Sequence, residues 1–439
     1  MNISIAFLLG ANFLVPAIAV YMCCVSRGFE VNHVATFTFG YWFYWILPTM
    51  VGAVKLLSYN ASMRIFYDIF DRVPPANVEI YLIISLCFYL SFAFGHAMSR
   101  GLRFRMMEKY ADLRFDIRWL IPHLVLGIAA VAVYTYLLRS ELFKGYTITN
   151  EEFADPLRGT FAAYCNFLEC VAFIYTINRQ FTLPVTSTFW RVVFNSYMLV
   201  VALALLLDLS LGQRHFILTA IIMLVVYRSV FFVPLRPRNA FLLFAAGLSA
   251  AGAAALVRSE MKLTLLEVIF AEPLFTNLAL IYFLREARFP LIRFPSLLFK
   301  DLLFIVPTAL VPNKLALIPS VADAGIPLFN PLGTVHSFLS FMANFGVLGS
   351  FGVFFFLGFV LNLIKSGGRR PLLRVIYIML SAQLAFSFWR DDFAISFVKS
   401  ILEFSILIPI LVCVNSNVLS GLLRRKHLRM AQHVPQLAR

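Results

Sequence analysis

Apolar runs of about 17 to 25 residues alternate with short polar connectors along almost the whole chain. Runs of this length match the hydrocarbon thickness of a bilayer when they form helices. The ten-residue alternating segments of a porin-like barrel are absent. The pattern therefore predicts an all-α, polytopic membrane protein with about 11–14 transmembrane helices. We place them near residues 3–23, 34–57, 77–98, 119–138, 160–177, 192–209, 215–233, 239–257, 266–284, 297–311, 341–364, 372–389 and 393–414.

One stretch interrupts this pattern. Residues 312–340 contain several prolines and a few polar side chains between apolar ones, and an apolar helix follows them. A long irregular loop in a compact protein is usually functional or disordered, and this one is too apolar for disorder. We predict a single transmembrane helical domain over residues 1–420, with outer loops at 139–159 and 312–340. A basic cytoplasmic tail is predicted at 421–439.

Composition supports the membrane interpretation. The 439 residues are 61% hydrophobic and 13% charged, with a mean hydropathy of +0.84. A soluble domain has about 25% charged residues, so a soluble fold is excluded. The net charge of +15 does not indicate nucleic-acid binding, because the basic residues lie between apolar runs. The six cysteines fall within predicted spans without metal-ligand spacing, and we interpret them as small buried residues.

The distribution of charge predicts an orientation. Most of the 37 Lys and Arg residues fall on alternate connectors that hold few of the 22 acidic residues. The positive-inside rule assigns those connectors to the cytoplasm, the amino terminus to the outside and the carboxyl terminus to the inside. The spans at 266–284 and 297–311 are short and flanked by prolines. We retain both, because dropping them as a pair would place the basic segment 285–300 outside.

Several charged residues fall at the predicted outer level. Arg214 follows Gln213 in a tight turn between two spans, and its planar guanidinium suits a phosphate or carboxylate. An interfacial arginine that extends towards the headgroups is an equal alternative. Arg258, Lys314 and Arg390 add positive charge at the same level. Asp391 follows Arg390, and two adjacent acids at 391–392 are weak support for a metal site.

Two polar residues lie where the irregular loop meets its helix. His336 is suited to general-base catalysis, since the ordinary pKa of histidine is near 6.5. A helix-capping or hydrogen-bonding histidine is an equal alternative. Asn344 could orient a sugar hydroxyl or bond between helices. Nucleotide-binding, zinc-protease and serine-hydrolase motifs are absent, so we expect no cofactor and no metal.

Three features resemble the O-antigen polymerase family (Wzy-type oligosaccharide repeat-unit polymerases), which is related to the O-antigen ligases. The first is the layout of spans. The second is Ser210-Leu211-Gly212-Gln213-Arg214 at the start of a span. The third is Gly333-Thr334-Val335-His336-Ser337, followed by Ala343-Asn344-Phe345-Gly346-Val347-Leu348-Gly349. The motifs cover roughly residues 190–365.

The resemblance implies a GT-C-like glycosyltransferase at the periplasmic face of the bacterial inner membrane. It would polymerise undecaprenyl-pyrophosphate-linked oligosaccharide repeat units into O-antigen or a related surface polysaccharide of lipopolysaccharide biosynthesis. Arg214 would bind the pyrophosphate with help from Arg258 and Arg390, and His336 would accept the proton. Gln213, Lys314, Asn344 and Asp391 complete the predicted substrate contacts. Expected partners are membrane lipids, a chain-length regulator and a flippase, and no nucleic acid.

Other functions remain open at this point. An O-antigen ligase is the nearest alternative among enzymes, because it uses the same class of donor. A flippase or transporter of lipid-linked oligosaccharide is an alternative of another class, although no internal repeat supports it. A membrane acyltransferase has only His336 in its favour.

Overall fold

The described residues confirm the all-α prediction. In the computed structural model they are almost entirely helical, and none of them forms a β-strand. The predicted tail at 421–439 and most of the predicted loop at 139–159 lie outside the residues that the structure describes. The structure describes residues 2–415 except 26–27, 58–60, 103–119, 140–155, 185–186, 211–213, 241, 243–244, 247–248, 250–264, 287, 307–309, 312, 328–334, 369 and 391.

The helices follow the apolar runs of the sequence. In chain order they are α1 (Ile3–Cys24), α2 (His33–Gly40), α3 (Leu47–Val54), α4 (Ala61–Phe70), α5 (Pro75–Met98), α6 (Ile121–Leu137), α7 (Pro156–Thr182), α8 (Phe189–Val193), α9 (Ser196–Ser210), α10 (Arg214–Phe231), α11 (Leu265–Arg285), α12 (Ser296–Asp301), α13 (Lys314–Leu317), α14 (Ser337–Asn344), α15 (Gly346–Ser366), α16 (Pro371–Gln383) and α17 (Ser387–Arg390). Segments Tyr41–Ile46 and Ala394–Leu407 are π-helical, and Leu302–Ile305 and Val321–Ala324 are 3-10 turns.

Four of the described helices are long and apolar enough to cross a membrane. They are α1, α5, α15 and the helix Ala394–Asn415, with mean hydropathies of 1.9 to 2.3. Shorter apolar helices include α6, α9 and α16. These helices support the prediction of a membrane protein, because soluble domains do not carry several exposed apolar helices of this length. The predicted number of spans stays a prediction.

The chain divides into two compact units, which we describe separately. Unit 1 comprises residues 1–102, 217–363 and 378–403, and unit 2 comprises residues 103–216, 364–377 and 404–439. The single domain predicted over residues 1–420 stays a prediction.

In unit 1, α1 and α5 run side by side in the same direction. The Asn2 amide donates to the Glu79 carboxylate at 3.1 Å, where both helices begin. Ten residues further along α1, the buried Asn12 donates to the Leu82 carbonyl of α5 at 3.1 Å. An amide bonded to a backbone carbonyl inside a bilayer fixes helix pairing, because an unpaired group there would be costly.

Helices α5 and α15 are also parallel, and their backbones touch. A Cβ atom added at Gly95 would meet the Phe355 carbonyl oxygen, and one added at Gly358 would meet the Phe92 carbonyl oxygen. Small residues allow this approach in membrane helices, where association depends on close packing. The contact therefore requires glycine at both positions.

The core of unit 1 surrounds Trp45, in the π-helical segment Tyr41–Ile46. Its fully buried ring lies 5.0 Å from the Trp389 ring and 6.0 Å from the Phe354 ring. The Tyr81 hydroxyl donates to the Trp45 carbonyl at 2.9 Å. Side chains that bond to backbone carbonyls commonly accompany π-helical turns. This segment holds three helices together through aromatic packing.

One prediction about topology is wrong. Helix α11 ends beside the start of α5, because the Asn77 amide donates to the Leu284 carbonyl at 2.7 Å. The segment 285–300 consequently begins at the end of unit 1 where α5 and α15 also begin. The sequence analysis had placed it opposite the loop 312–340. The charge count predicted the opposite placement because it treated these basic residues as the connector between two spans.

The predicted span at 297–311 is also wrong. The structure has a six-residue helix, α12, and the short 3-10 turn Leu302–Ile305. Six helical residues rise about 9 Å, whereas a bilayer core is about 30 Å thick. Pro295 precedes α12 and Pro307 follows the 3-10 turn in sequence, so a continuous helix is disfavoured.

In unit 2, α6, α7 and α9 pack together. Helices α7 and α9 are antiparallel: the Asn195 amide donates to the Thr176 hydroxyl at 3.0 Å, and Cys165 approaches the Ala204 carbonyl. Gly127 of α6 provides space for Leu168 of α7, which would lie 3.0 Å from an added Cβ atom. Unit 2 is thus a bundle of at least three closely packed apolar helices.

Candidate functional site

A cavity of about 440 Å³ lies where the segment after α11 meets the irregular loop. Both segments belong to unit 1. The volume is within the range of small-molecule sites in proteins. The lining residues are Phe283, Glu286, Arg288, Pro290, Arg293, Ala322, Gly325, Ile326 and Pro327.

Backbone hydrogen bonds attach one wall of this cavity to α15. The Val347 N–H donates to the Pro290 carbonyl at 2.8 Å, and the Leu348 N–H donates to the Leu291 carbonyl at 3.0 Å. The first turn of a helix leaves N–H groups without intrahelical partners, and here segment 288–295 supplies their acceptors. The wall is therefore fixed independently of its side chains.

Gly346 makes this attachment possible. Its φ of +65° lies in the left-handed region, and an added Cβ atom would lie 2.7 Å from the Pro290 oxygen. The Phe345 carbonyl accepts from the Arg293 N–H at 3.2 Å on the other side of the turn. A glycine is needed for both the conformation and the close approach.

The cavity carries an excess of positive charge. Arg293 Nη1 donates to the Ala324 carbonyl at 2.6 Å, which holds the guanidinium across the cavity without neutralising it. Arg288 is exposed and forms no ion pair within the described part of the chain. The Glu286 carboxylate pairs instead with Arg285 at 2.8 Å. Two arginines thus remain available to an anion.

Apolar side chains border this cationic cavity. Leu291 is 63% exposed, Ile292 is 70% exposed and Phe294 is 74% exposed. Exposed apolar groups beside arginines are typical of a surface at the level of lipid headgroups. The site is therefore suited to a ligand with an anionic head and an apolar tail.

Sequence reasoning missed Arg288 and Arg293 as site residues. It treated them as cytoplasmic flanks of two spans. A signal was present: the tripeptide Arg-Phe-Pro occurs at 288–290 and again at 293–295. Two prolines five residues apart disfavour a helix, so the segment could have been recognised as something other than the flank of a span.

His336 lies in the capping arrangement, one of the two alternatives that the sequence left open. Its Nδ1 accepts from the Phe338 N–H at 3.3 Å, at the start of α14. With Nδ1 as acceptor, Nε2 carries the proton and donates to the Tyr44 carbonyl at 3.2 Å. The side chain is fully buried, and burial lowers its pKa to about 3. The predicted catalytic role stays a prediction.

Asn344 and Lys314 are both engaged in local contacts. Asn344 Oδ1 accepts from the Leu298 N–H at 2.7 Å, which fixes α12 against α14. Lys314 Nζ donates to the Val306 carbonyl at 2.7 Å and lies 5.5 Å from the centre of the Phe304 ring. Neither residue lines the cavity. Their predicted substrate contacts stay predictions.

Of the remaining predicted residues, the structure describes the side chain of Arg390 alone. Arg390 ends the short helix α17 in unit 1 and is half-buried. Arg214 opens α10 in unit 2, and its side chain lies outside the described residues. Gln213, Arg258 and Asp391 also lie outside them. The roles predicted for these residues therefore stay predictions.

Two carboxyls of unit 1, the buried Asp301 and the half-buried Asp392, have raised pKa values. Burial, followed by the charge of Asp392 as a second cause, raises the pKa of Asp301 to about 7. Burial also raises the pKa of Asp392, although the N–H groups of Ile395 and Ala394 oppose this. A carboxyl with a pKa near neutrality can exchange protons at physiological pH. The sequence analysis did not single out Asp301.

We expect Asp301→Asn to stabilise the protein at pH 8 by roughly 1–3 kcal/mol. The folded pKa of Asp301 exceeds that of an unfolded aspartate, so wild-type stability declines as pH rises from about 4 to about 7. The amide removes that decline because it stays neutral. Thermal unfolding in detergent at pH 5 and pH 8 measures the effect, with the exposed Asp71→Asn as control. An unchanged pH dependence would contradict the expectation.

Comparison with protein families, curated proteins and solved structures finds no match to this chain.

Proposed function

We propose that the protein is a GT-C-like membrane glycosyltransferase that polymerises undecaprenyl-pyrophosphate-linked oligosaccharide repeat units, as its resemblance to O-antigen polymerases implies. The cationic cavity bordered by exposed apolar side chains supports this proposal. A lipid-linked pyrophosphate has an anionic head and a polyprenyl tail, so each part meets a surface of matching chemistry. Arg288 and Arg293 would bind the head.

The proposed glycosyl transfer requires little covalent participation of the protein. The acceptor hydroxyl attacks the anomeric carbon, the bond from that carbon to the pyrophosphate oxygen breaks, and a base takes the hydroxyl proton. Pyrophosphate leaves readily once its charge is neutralised, so positioning and electrostatic stabilisation provide most of the rate. Two guanidinium groups in one cavity suit this role because each can bind phosphate oxygens bidentately.

The proton acceptor has two candidates in this proposal. His336 would have to release its bond with the Phe338 N–H before Nδ1 could take a proton. Asp301 has a pKa of about 7, close to the value that suits a general base at neutral pH. Neither side chain lines the cavity.

The proposal includes a location. The protein would lie in the bacterial inner membrane with its amino terminus outside and its carboxyl terminus in the cytoplasm, and the cavity would open to the periplasm. A flippase would deliver the lipid-linked repeat unit, and a chain-length regulator would act on the product.

Arg288→Ala tests the proposal directly. Arg288 is exposed and has no ion-pair partner within the described part of the chain, so the variant should fold normally. We expect roughly a 10- to 100-fold loss of long glycan chains, because a charged hydrogen bond contributes about 1.5–3 kcal/mol. A deletion strain that expresses each variant provides the assay, with glycan ladders on a gel as the readout.

Arg72→Ala is the matched control, since Arg72 is exposed and does not line the cavity. Full ladders with Arg288→Ala and with Arg293→Ala would contradict the role of the cavity. The deletion strain itself distinguishes the alternatives. Lipid capped by a single repeat indicates a lost polymerase, uncapped core indicates a lost ligase, and accumulation of unflipped carrier indicates a lost transporter.

A further inference from the structure

Two carboxyl side chains are buried between α7 and α9 of unit 2. Glu169 is 1% exposed and Asp208 is 0% exposed. None of their four carboxyl oxygens has a hydrogen-bond partner among the residues that the structure describes. Buried polar groups are nearly always bonded, so four unpaired oxygens at one contact require an explanation.

The packing of the helices brings the two groups towards each other. Cys165 of α7 lies 4.0 Å from the Ala204 carbonyl of α9. Glu169 is one turn after Cys165, and Asp208 is one turn after Ala204. Since the helices are antiparallel, the two acids lie on opposite sides of that contact. Helical side chains lean towards the amino terminus, so each carboxyl leans towards the other across Cys165.

Within the described residues, the surroundings offer no compensating charge. The thiols of Cys165 and Cys170, both on α7, lie within electrostatic range of these acids and carry no positive charge. On α6, His123 packs against Phe167. Within the described residues, neither acid forms an ion pair. Two unpaired carboxylates in an apolar bundle would each cost several kcal/mol.

Binding of a proton is the simplest way to remove this free-energy cost, because it neutralises a carboxylate. Metal ions in proteins take four or more ligands, and no group of three His, Cys, Asp or Glu side chains in the described part of the chain is placed to hold one. A proton needs a single oxygen and no additional space. We propose that Glu169 and Asp208 form a proton-binding site inside unit 2 that holds at least one proton at neutral pH.

This site gives unit 2 a chemical capacity that is separate from the cationic cavity of unit 1. A proton held between two carboxyls is released only when the contact between α7 and α9 opens to water. Proton binding at this pair is therefore linked to the packing of the two helices. The inference does not rest on the proposed glycosyltransferase.

Infrared spectroscopy of the full-length protein in liposomes tests the site. Protonated carboxyls have a C=O stretching band that ionised carboxylates lack and that shifts in D2O. We expect the wild-type spectrum at pH 7 to contain such a band that the double variant Glu169→Gln/Asp208→Asn loses. If each single variant loses half of the band intensity that the double variant loses, the pair holds two protons. If either single variant loses all of it, the two carboxyls share one proton. Both results support the site.

The exposed Asp71→Asn is the control and should leave the band unchanged. Size-exclusion chromatography shows whether each variant is folded, and the single variants provide the comparison if the double variant is not. A band that is identical in the wild type and the variants between pH 6 and pH 8 overturns the proposal.

Discussion

Gly358→Ala should destabilise the protein by at least about 3 kcal/mol. The new methyl group would overlap the Phe92 carbonyl oxygen, a backbone atom that cannot rotate away. Helices α5 and α15 would have to separate, and the contacts along their whole interface would weaken together. Thermal unfolding in detergent, together with the yield of monodisperse protein, measures the loss.

Gly352→Ala is a matched control on the same helix, because an added Cβ atom at Gly352 meets nothing within 4 Å. That variant should be neutral or more stable by up to about 1 kcal/mol, the usual difference between alanine and glycine in a helix. Gly95→Ala should behave like Gly358→Ala, since the contact is reciprocal. Equal stability of the Gly358 and Gly352 variants would show that the helices do not touch at this point.

His336→Ala has the second largest expected effect, a loss of about 3 kcal/mol. The substitution removes the cap at the start of α14, worth about 1 kcal/mol, and leaves the Tyr44 carbonyl without its donor. It also leaves a cavity beside the Trp45 ring, which lies 5.8 Å from the imidazole. The midpoint of thermal unfolding in detergent at pH 7 measures the combined effect of the lost cap, the lost donor and the cavity.

His336→Asn separates structure from catalysis. Asparagine is a good helix cap, so this variant should recover about 1 kcal/mol. The folded pKa of His336 is below that of a free histidine, so wild-type stability should fall as pH decreases from about 6.5 towards 3, and both variants should lack this fall. Activity per folded molecule should stay near that of the wild type. A much larger loss of activity than of folded protein would restore the predicted catalytic role.

The sequence predicted the helices because a bilayer imposes a simple rule on length and polarity. The apolar runs at 3–23, 77–98, 341–364 and 393–414 correspond to the four helices that are long enough to span. Pairing between helices was not predictable. It depends on single contacts, such as that of Gly358 with Phe92, which hydropathy does not record.

The candidate site was predicted in part. The sequence identified the irregular loop and its junction with α15, and the structure places one wall of the cavity in that loop. It did not identify Arg288 and Arg293, because counting charges on connectors assumes that every basic residue flanks a span. Segment 285–300 instead joins the loop through the bond from Arg293 to Ala324, a contact with no signature in composition.

The hydrogen bonds that attach segment 288–295 to the start of α15 join backbone atoms only. Side chains in this segment can therefore change without loss of the attachment, as long as Gly346 and the two prolines are kept. The ligand preference of this segment can therefore change without a change in the fold. The residues at 288, 291 and 293 could therefore vary while the backbone attachment to α15 is retained.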